Sequence, residues 1–288
     1  MLNFLNIAKS SYFYEISTYN KEDLDADLKE SIQTIFFSNK GRYGYRRITL
    51  ELNNNGVKVN HKRVKRIMSN LGLYGIQPRA KYKSYKGIIG KTCKNVLLEK
   101  EVDVIKHRTT YKRNFTTTSC NQKWTTDVSE FHIASGKLYL SPILDMHNRE
   151  IISYNISYHP DYNQTKDMLN KAFAKYDNLN GLIFHSDQGW QYQMEHYPKA
   201  LKDKGIIQSM SRKGNCLDNS LMENFFGVMK NEMFYGHEYE FKSLEELKKA
   251  IEEYIEYYNK ERITVKLKGL SPIQYRQQSL NSLWLNKF

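Results

Sequence analysis

The sequence predicts a mixed α/β domain preceded by an all-α basic module, and three observations carry that reading. First, charge is unevenly divided: of the 288 residues, the first 120 hold 23 Lys and Arg against 10 Asp and Glu, and the rest hold 21 of each. The whole net charge of +13 therefore lies in the N-terminal part. Second, hydrophobic spacing is helical up to about residue 72 but gives way to β-branched and aromatic runs from Gln122. Third, strands come first in that later part and then alternate with helices, the order of a mixed sheet. With 40% hydrophobic and 13% aromatic residues the chain can bury a core. No run of about 18 uncharged apolar residues occurs, and the start lacks signal-peptide features, so a cytosolic protein with no membrane partner is expected. Cys93, Cys120 and Cys216 are too far apart for a disulfide framework or a zinc pair, and free thiols are expected.

In the basic part, Leu24, Leu28, Ile32 and Ile35 share helical spacing, with Asp23 and Asp25 at the helix start where the dipole favours acids. After Gly41 and Gly44, Tyr45, Ile48 and Leu52 predict a second helix, which ends at the Asn53-Asn54-Asn55-Gly56 turn. Asn60 can cap a third, with Val64, Ile67, Met68 and Leu71 on one face and Gly72 where a left-handed end is wanted. The opposite face carries His61, Lys62, Arg63, Lys65 and Arg66. Helix, turn and basic helix is the pattern in which the second helix enters the major groove. It coincides with the stretch 40–94, which holds 15 basic residues and a single acid, Glu51. Double-stranded DNA is the partner that density implies. Base readers are expected among His61, Lys62, Arg63 and Arg66. Residues 81–119, basic and Thr-rich, read as a linker.

From 122 onward, strands are expected at 123–131, 137–145 and 149–159, divided by Ser135-Gly136 and His147-Asn148. A helix over 164–176, a short strand over 181–186, and a further helix and strand reaching Met210 follow. Long helices are expected from Asp218 to about Tyr235 and over 244–258. In the first strand, period-2 alternation puts Asp127 on the face of Thr125 and Ser129. Asp187 closes LIFHSDQG just where its strand stops, and open α/β sheets place ligands outside such carboxyl ends. If Asp218 or Asn219 caps the next helix, Met222, Phe226, Met229 and Met233 form its buried stripe, and Glu223 starts a neighbouring row with Gly227 and Lys230. Three carboxylates without a His or Cys cluster suit Mg²⁺ or Mn²⁺. Two such ions can drive in-line phosphoryl transfer. Taken singly, each acid reads equally as a turn acid, a helix cap or a solvated helix residue. Asp145 is placed in a hairpin turn and left out.

The order Trp124-x-x-Asp127, His185-Ser186-Asp187-Gln188-Gly189, then Asn215, Asp218, Asn219 and Glu223, with 35 residues between Asp187 and Glu223, resembles the catalytic blocks of integrases and related bacterial transposases. YGYRRI at 43–48, with Arg46 and Arg47, and YNKERITVKLKGLSPIQYR at 258–276 are similar to the helix-turn-helix and C-terminal signature of the insertion-sequence transposases designated the IS-three family, second-frame product. The resemblance implies an α/β, RNase H-like mixed-sheet catalytic core behind an N-terminal all-α helix-turn-helix region. It divides the chain into an N-terminal helical segment (1–38), helix-turn-helix (39–92), basic linker (93–118), catalytic core (119–240) and helical tail (241–288). It implies Asp127, Asp187 and Glu223 as catalytic ligands of two Mg²⁺ or Mn²⁺ ions, Lys230 as a DNA contact, and His185 as a support behind the site. It further implies DNA element ends and target as substrates, an upstream-frame helix-turn-helix protein or fusion as partner, a multimer on DNA, and a bacterial, nucleoid-associated location. Ile263 and Thr264 stand where many relatives carry Pro-His. A structure-selective nuclease and a non-catalytic DNA-binding regulator remain open at this point.

Overall fold

The computed structural model describes residues 8–19, 23–76, 92–103, 108–212 and 215–285. Two units emerge, Met1–Gly75 and Ile76–Phe288. The basic residues from Arg79 to Lys91 and the Cys216 side chain lie outside the described residues.

The first unit contains α1 (Lys9–Tyr19), α2 (Ala26–Ser38), α3 (Tyr45–Asn54) and α4 (His61–Asn70). Ile32, Phe36, Tyr43, Ile48, Leu52, Val64, Ile67 and Met68 are buried, so the predicted stripes of α3 and α4 face inward except at Tyr45 and Leu71, which are only partly buried. Asn60 caps α4 by accepting from Lys62 N at 2.8 Å, and Gly72 ends it at φ +67°. The α2 stripe differs from expectation. Leu24 precedes the helix and is 90% exposed, and Phe36 takes the buried place instead.

In the second unit, 98–113 was expected to be irregular linker but carries two antiparallel strands, β1 (Leu98–Asp103) and β2 (Arg108–Arg113). Alternating Thr, Tyr, Val and charged residues suit such an exposed ladder. The main sheet has six strands: β3 (Lys123–Thr126), β4 (Ser129–Ile133), β5 (Gly136–Asp145), β6 (Ile151–Ser157), β7 (Ile183–Ser186) and β8 (Ile207–Met210). The long β5 pairs with β6 on one edge and with β4 and then β3 on the other, all antiparallel. β3, β7 and β8 then run parallel. The strand expected over 123–131 is thus two strands. They part at Asp127-Val128, where the Asp127 side chain takes the Val128 N–H at 2.8 Å in place of a ladder partner.

Helices cover both faces. Against one lie α5 (Tyr162–Phe173) and α6 (His196–Asp203), packed on Trp124, Ile143, Ile152, Phe184 and Met210. Against the other lie α7 (Ser220–Met233) and α8 (Leu244–Lys260), packed on Phe131, Leu138, Leu140 and Leu144. The predicted Met222, Phe226, Met229 and Met233 stripe is buried, joined by Phe225. Residues 241–260, expected in a tail, are therefore core: Leu247, Ile251, Tyr254, Ile255 and Tyr258 are all buried. Beyond them, α9 (Pro272–Leu285) returns to the sheet through Arg276. Its guanidinium meets Asp145 at 3.1 Å, bonds Glu150, and lies over the Tyr176 ring. Asp145 is hence no turn acid but the buried last residue of β5, held also by the Asn121 and His147 N–H groups.

Candidate active site and nucleic-acid face

The parallel ladder of β3 and β7 pairs Trp124 with Phe184 and Thr125 with His185. Asp127 and Asp187 each stand two residues past that last pair, so they leave adjacent strands at their carboxyl ends. Neighbouring strands lie about 4.8 Å apart. Asp127 is 9% exposed. Burial raises the Asp187 carboxyl, opposed by the Gly189 N–H, which donates to Oδ1 at 2.8 Å. A Cβ at 189 would stand 2.9 Å from Asp187 Oδ1 and 2.6 Å from the Gln191 amide, so a larger residue there would shift one of these side chains. Tyr192, fully buried, has its phenol pushed up first by burial and then by the charges of both Asp127 and Asp187. The sequence offered no signal for Tyr192, because its neighbours come from separate strands.

Glu223 stands in the first turn of α7, partly exposed, its carboxyl raised by burial. Two anchors fix the height of α7 along the sheet. Asn219, just before it, bonds Thr125 and Thr126. Lys230 near its end donates to the Glu130 carbonyl at 2.7 Å and lies over the Phe131 ring. Eleven helical residues rise about 16 Å, close to the roughly 16 Å of five extended residues from Thr125 to Glu130. Glu223 follows Asn219 by four residues, one turn along α7 from the bonds to Thr125 and Thr126. Every donor in this set is a carboxylate oxygen, the chemistry that hard divalent ions take. Among the described residues no group of three or more His, Cys, Asp or Glu side chains is gathered closely enough to hold an ion.

Lys230 is partly buried. Burial brings its amine down to about 8, with Glu130 and Asp127 pulling upward. His185, expected behind the site, is fully buried, with Nδ1 2.9 Å from Ser209 Oγ and Nε2 3.0 Å from Ser211 Oγ. Both ring nitrogens thus serve β8 and the residues after it rather than a carboxylate. Burial lowers the imidazole to about 4, so it is neutral near pH 7. The expected caps of α7 also have other tasks. Asn219 occupies the N-cap position without a capping bond. Asp218, buried, takes Arg113 Nε at 2.7 Å, Arg212 Nε at 3.0 Å and Asn95 Nδ2 at 3.0 Å. Burial works against its charge, but the arginine and backbone hydrogen bonds prevail and hold it down at about 2.

In the helical unit, His61, Lys62, Arg63, Lys65 and Arg66 are all exposed on α4. They are not equivalent. Asp25 binds Arg63 Nη2 at 2.6 Å and Arg66 Nη2 at 2.7 Å, which holds its carboxyl below the usual range. His61 stacks on Tyr45, and Arg46 and Lys65 approach the same ring. Arg47 lies over Tyr43. The sequence placed Asp25 at a helix start but gave no sign of its arginine partners 38 and 41 residues away.

Residues 117–216 and 223–280 match two family models, each described as an integrase core domain, and residues 23–81 match an HTH-like domain. The chain is 47% identical over 279 residues to the putative transposase InsK for insertion sequence element IS150 of Escherichia coli (strain K12), covering 97% of this chain and 93% of that protein. It is 51% identical over 225 residues to an uncharacterized transposase-like protein of Haemophilus influenzae, covering 78% and 96% respectively. Among solved structures, the HTLV-2 integrase catalytic core domain in complex with magnesium matches 55% of this chain and 97% of that one, at 17% identity and a TM-score of 0.44. No helix among the described residues is long and apolar enough to cross a membrane. By its family matches and its relatives, this chain belongs to the insertion-sequence transposases of the IS-three family, with an integrase core behind a helix-turn-helix-like module.

Proposed function

We propose that this transposase cuts and joins DNA at the ends of its insertion sequence through Asp127, Asp187 and Glu223, which hold two Mg²⁺ or Mn²⁺ ions. What supports this reading is the β3–β7 register, which ends two adjacent strands just before Asp127 and Asp187, together with the place of Glu223 in the first turn of α7. Divalent ions, when bound there, would polarise water, and then a freed 3′-hydroxyl, for in-line attack on a phosphodiester, the opposite P–O bond breaking and its oxygen leaving as a hydroxyl. The residues of this chain do the rest. Asp127 and Asp187 offer oxygens fixed by the sheet, and Glu223 adds a third from the facing helix. Lys230, once released from the Glu130 carbonyl, contacts the element end. Its partial burial keeps it beside Phe131 until DNA competes for it.

The helix-turn-helix module grips the duplex through the α4 face, with Lys62, Lys65, His61 and Arg46 available and Arg63 and Arg66 exchanging Asp25 for phosphate. Joining requires two ends in one complex, so a multimer on DNA forms, and an upstream-frame helix-turn-helix partner or fusion supplies end recognition.

The test is cleavage and joining of a labelled duplex carrying the terminal repeat, with Mg²⁺, Mn²⁺ or EDTA. Asp127→Asn, Asp187→Asn and Glu223→Gln should each lower kcat by more than about 100-fold, since losing an ion ligand exceeds the loss of an outer support, while DNA binding persists. Full activity in any one variant removes that residue from the mechanism. Cleavage without joined products would make the protein a nuclease instead. Binding with neither reaction, in the fused protein as well, would make it a regulator.

A further inference from the structure

We propose that Asn219 is a positioning residue, a clasp that sets the Glu223 helix against the strand end bearing Asp127; this rests on the reading of those acids as ion ligands. Asparagine at an N-cap ordinarily accepts a hydrogen bond from the first turn of its own helix. Asn219 occupies that position and makes no such bond. Its amide instead crosses to β3, where Oδ1 accepts from Thr125 Oγ1 at 2.5 Å and Nδ2 donates to the Thr126 carbonyl at 3.2 Å. The orientation is dictated by chemistry. A backbone carbonyl can only accept, so the NH₂ must face it, and the carbonyl end of the amide must then meet the hydroxyl.

Two consequences follow from where these bonds fall. The Thr126 carbonyl belongs to the same rigid peptide plane as the Asp127 N–H, so Asn219 fixes the plane that leads directly into the strand break. Asn219 and Glu223 are four residues apart, one turn along one helix face. A single buried amide, 5% exposed, thus ties the backbone at one candidate ligand to the helix face of another. The segment is braced from behind, because the neighbouring Asp218 is gripped by Arg113, Arg212 and Asn95. No local feature of the sequence distinguishes this clasp from a cap, since the partners lie 94 and 93 residues away.

The test compares the full chain with Asn219→Ala, Asn219→Asp, Thr125→Val and the Asn219→Ala/Thr125→Val double variant, with Glu223→Gln alongside. Mn²⁺ binding to the DNA-free protein is read from the electron paramagnetic resonance of free Mn²⁺, and end cleavage is read as separate kcat and KM. Asn219→Ala should weaken Mn²⁺ binding and lower kcat by about 10- to 100-fold, as for the support of a metal ligand, with KM for DNA unchanged. Asn219→Asp, which sets a carboxylate oxygen against the Thr126 carbonyl, should not rescue. The double variant should be no worse than Asn219→Ala, because both remove one interaction. Wild-type Mn²⁺ affinity and kcat in Asn219→Ala would overturn the clasp, as would a KM effect alone. Should Asn219→Ala fail to fold, the near-isosteric Thr125→Val decides: a smaller loss in the same two readouts supports the clasp, and none overturns it. Activity surviving in Glu223→Gln would sink the ligand reading itself. An inactive Glu223→Gln beside a fully active Asn219→Ala would sink only the clasp.

Discussion

The helical unit up to Gly75 and the α/β unit after it handle charge in opposite ways. In the first, the cations of α4 stand exposed, and the ion pairs described there, Asp25 with Arg63 and Arg66 and Asp23 with Lys29, lie at the surface. In the second, beside surface pairs such as Lys260 with Glu256, several acids and arginines are drawn inside. Glu232 meets Arg262 at 2.7 Å, with both side chains about 5% exposed, and Tyr254 donates to the same carboxylate. Asp218 and Asp145 are sealed under Arg113, Arg212 and Arg276. Exposed charge is spendable on a polyanion, whereas buried charge is already committed to a geometry. The helical unit therefore keeps its cations at the surface, Arg63 and Arg66 paired there with Asp25, and the core uses its own to hold the segments around Glu223 and the C-terminal signature.

The contrast can be broken most forcefully at Glu232. Glu232→Gln strands the buried Arg262 charge and should cost about 3–5 kcal/mol, a fall in Tm of about 10 °C by the usual scaling. Glu256→Gln, which removes an exposed partner of Lys260, should leave Tm unchanged. Calorimetry on the two variants checks this, and equal effects would erase the distinction. Replacing Glu232 and Arg262 together by apolar residues should recover much of the loss.

A second, smaller effect concerns acid. The Asp218 carboxyl is held at about 2 when folded against about 3.9 unfolded. Its stabilising contribution is thus fully present above pH 4 and is lost as pH falls toward 2. The gap in urea midpoint between the wild type and Asp218→Asn should be wide at pH 6 and close over that window. A gap independent of pH would mean that Asp218 contributes shape and not charge.

The smallest effects belong to the exposed face. Lys65→Ala should weaken DNA binding and reduce the salt slope by about one. Asp25→Asn, which frees Arg63 and Arg66, should strengthen non-specific binding and steepen the slope. Fluorescence anisotropy across a salt series reads both, and an unchanged slope in Lys65→Ala would place the DNA on another surface.

Legibility followed the range of the interactions involved. The helices of the first unit could be read because their stripes repeat within ten residues and Asn60 and Gly72 mark the ends of α4 locally. The strand at Asp187 and the buried row of α7 could be read for the same reason. The break at Asp127 could not, since an acid in a strand pattern looks the same whether its carboxylate faces solvent or takes the next N–H. Nor could the β1–β2 pair, whose polar sequence resembles a linker until the ladder pairs it.

By itself, then, the sequence determined the buried faces of α3, α4 and α7, the basic module, the run of main-sheet strands and helices from Lys137 onward, and the family through the blocks around Asp127, Asp187 and Glu223. Periodicity, capping and block spacing are written along the chain and need no partner. Tertiary structure alone decided that Asn219 grips β3 instead of capping α7, that His185 serves Ser209 and Ser211, that Asp25 holds two arginines of α4, and that Arg276 closes over Asp145. Each of these is a directional bond between groups 24 to 131 residues apart. Such a bond depends on register and packing, which exist only once the sheet and its covering helices have formed.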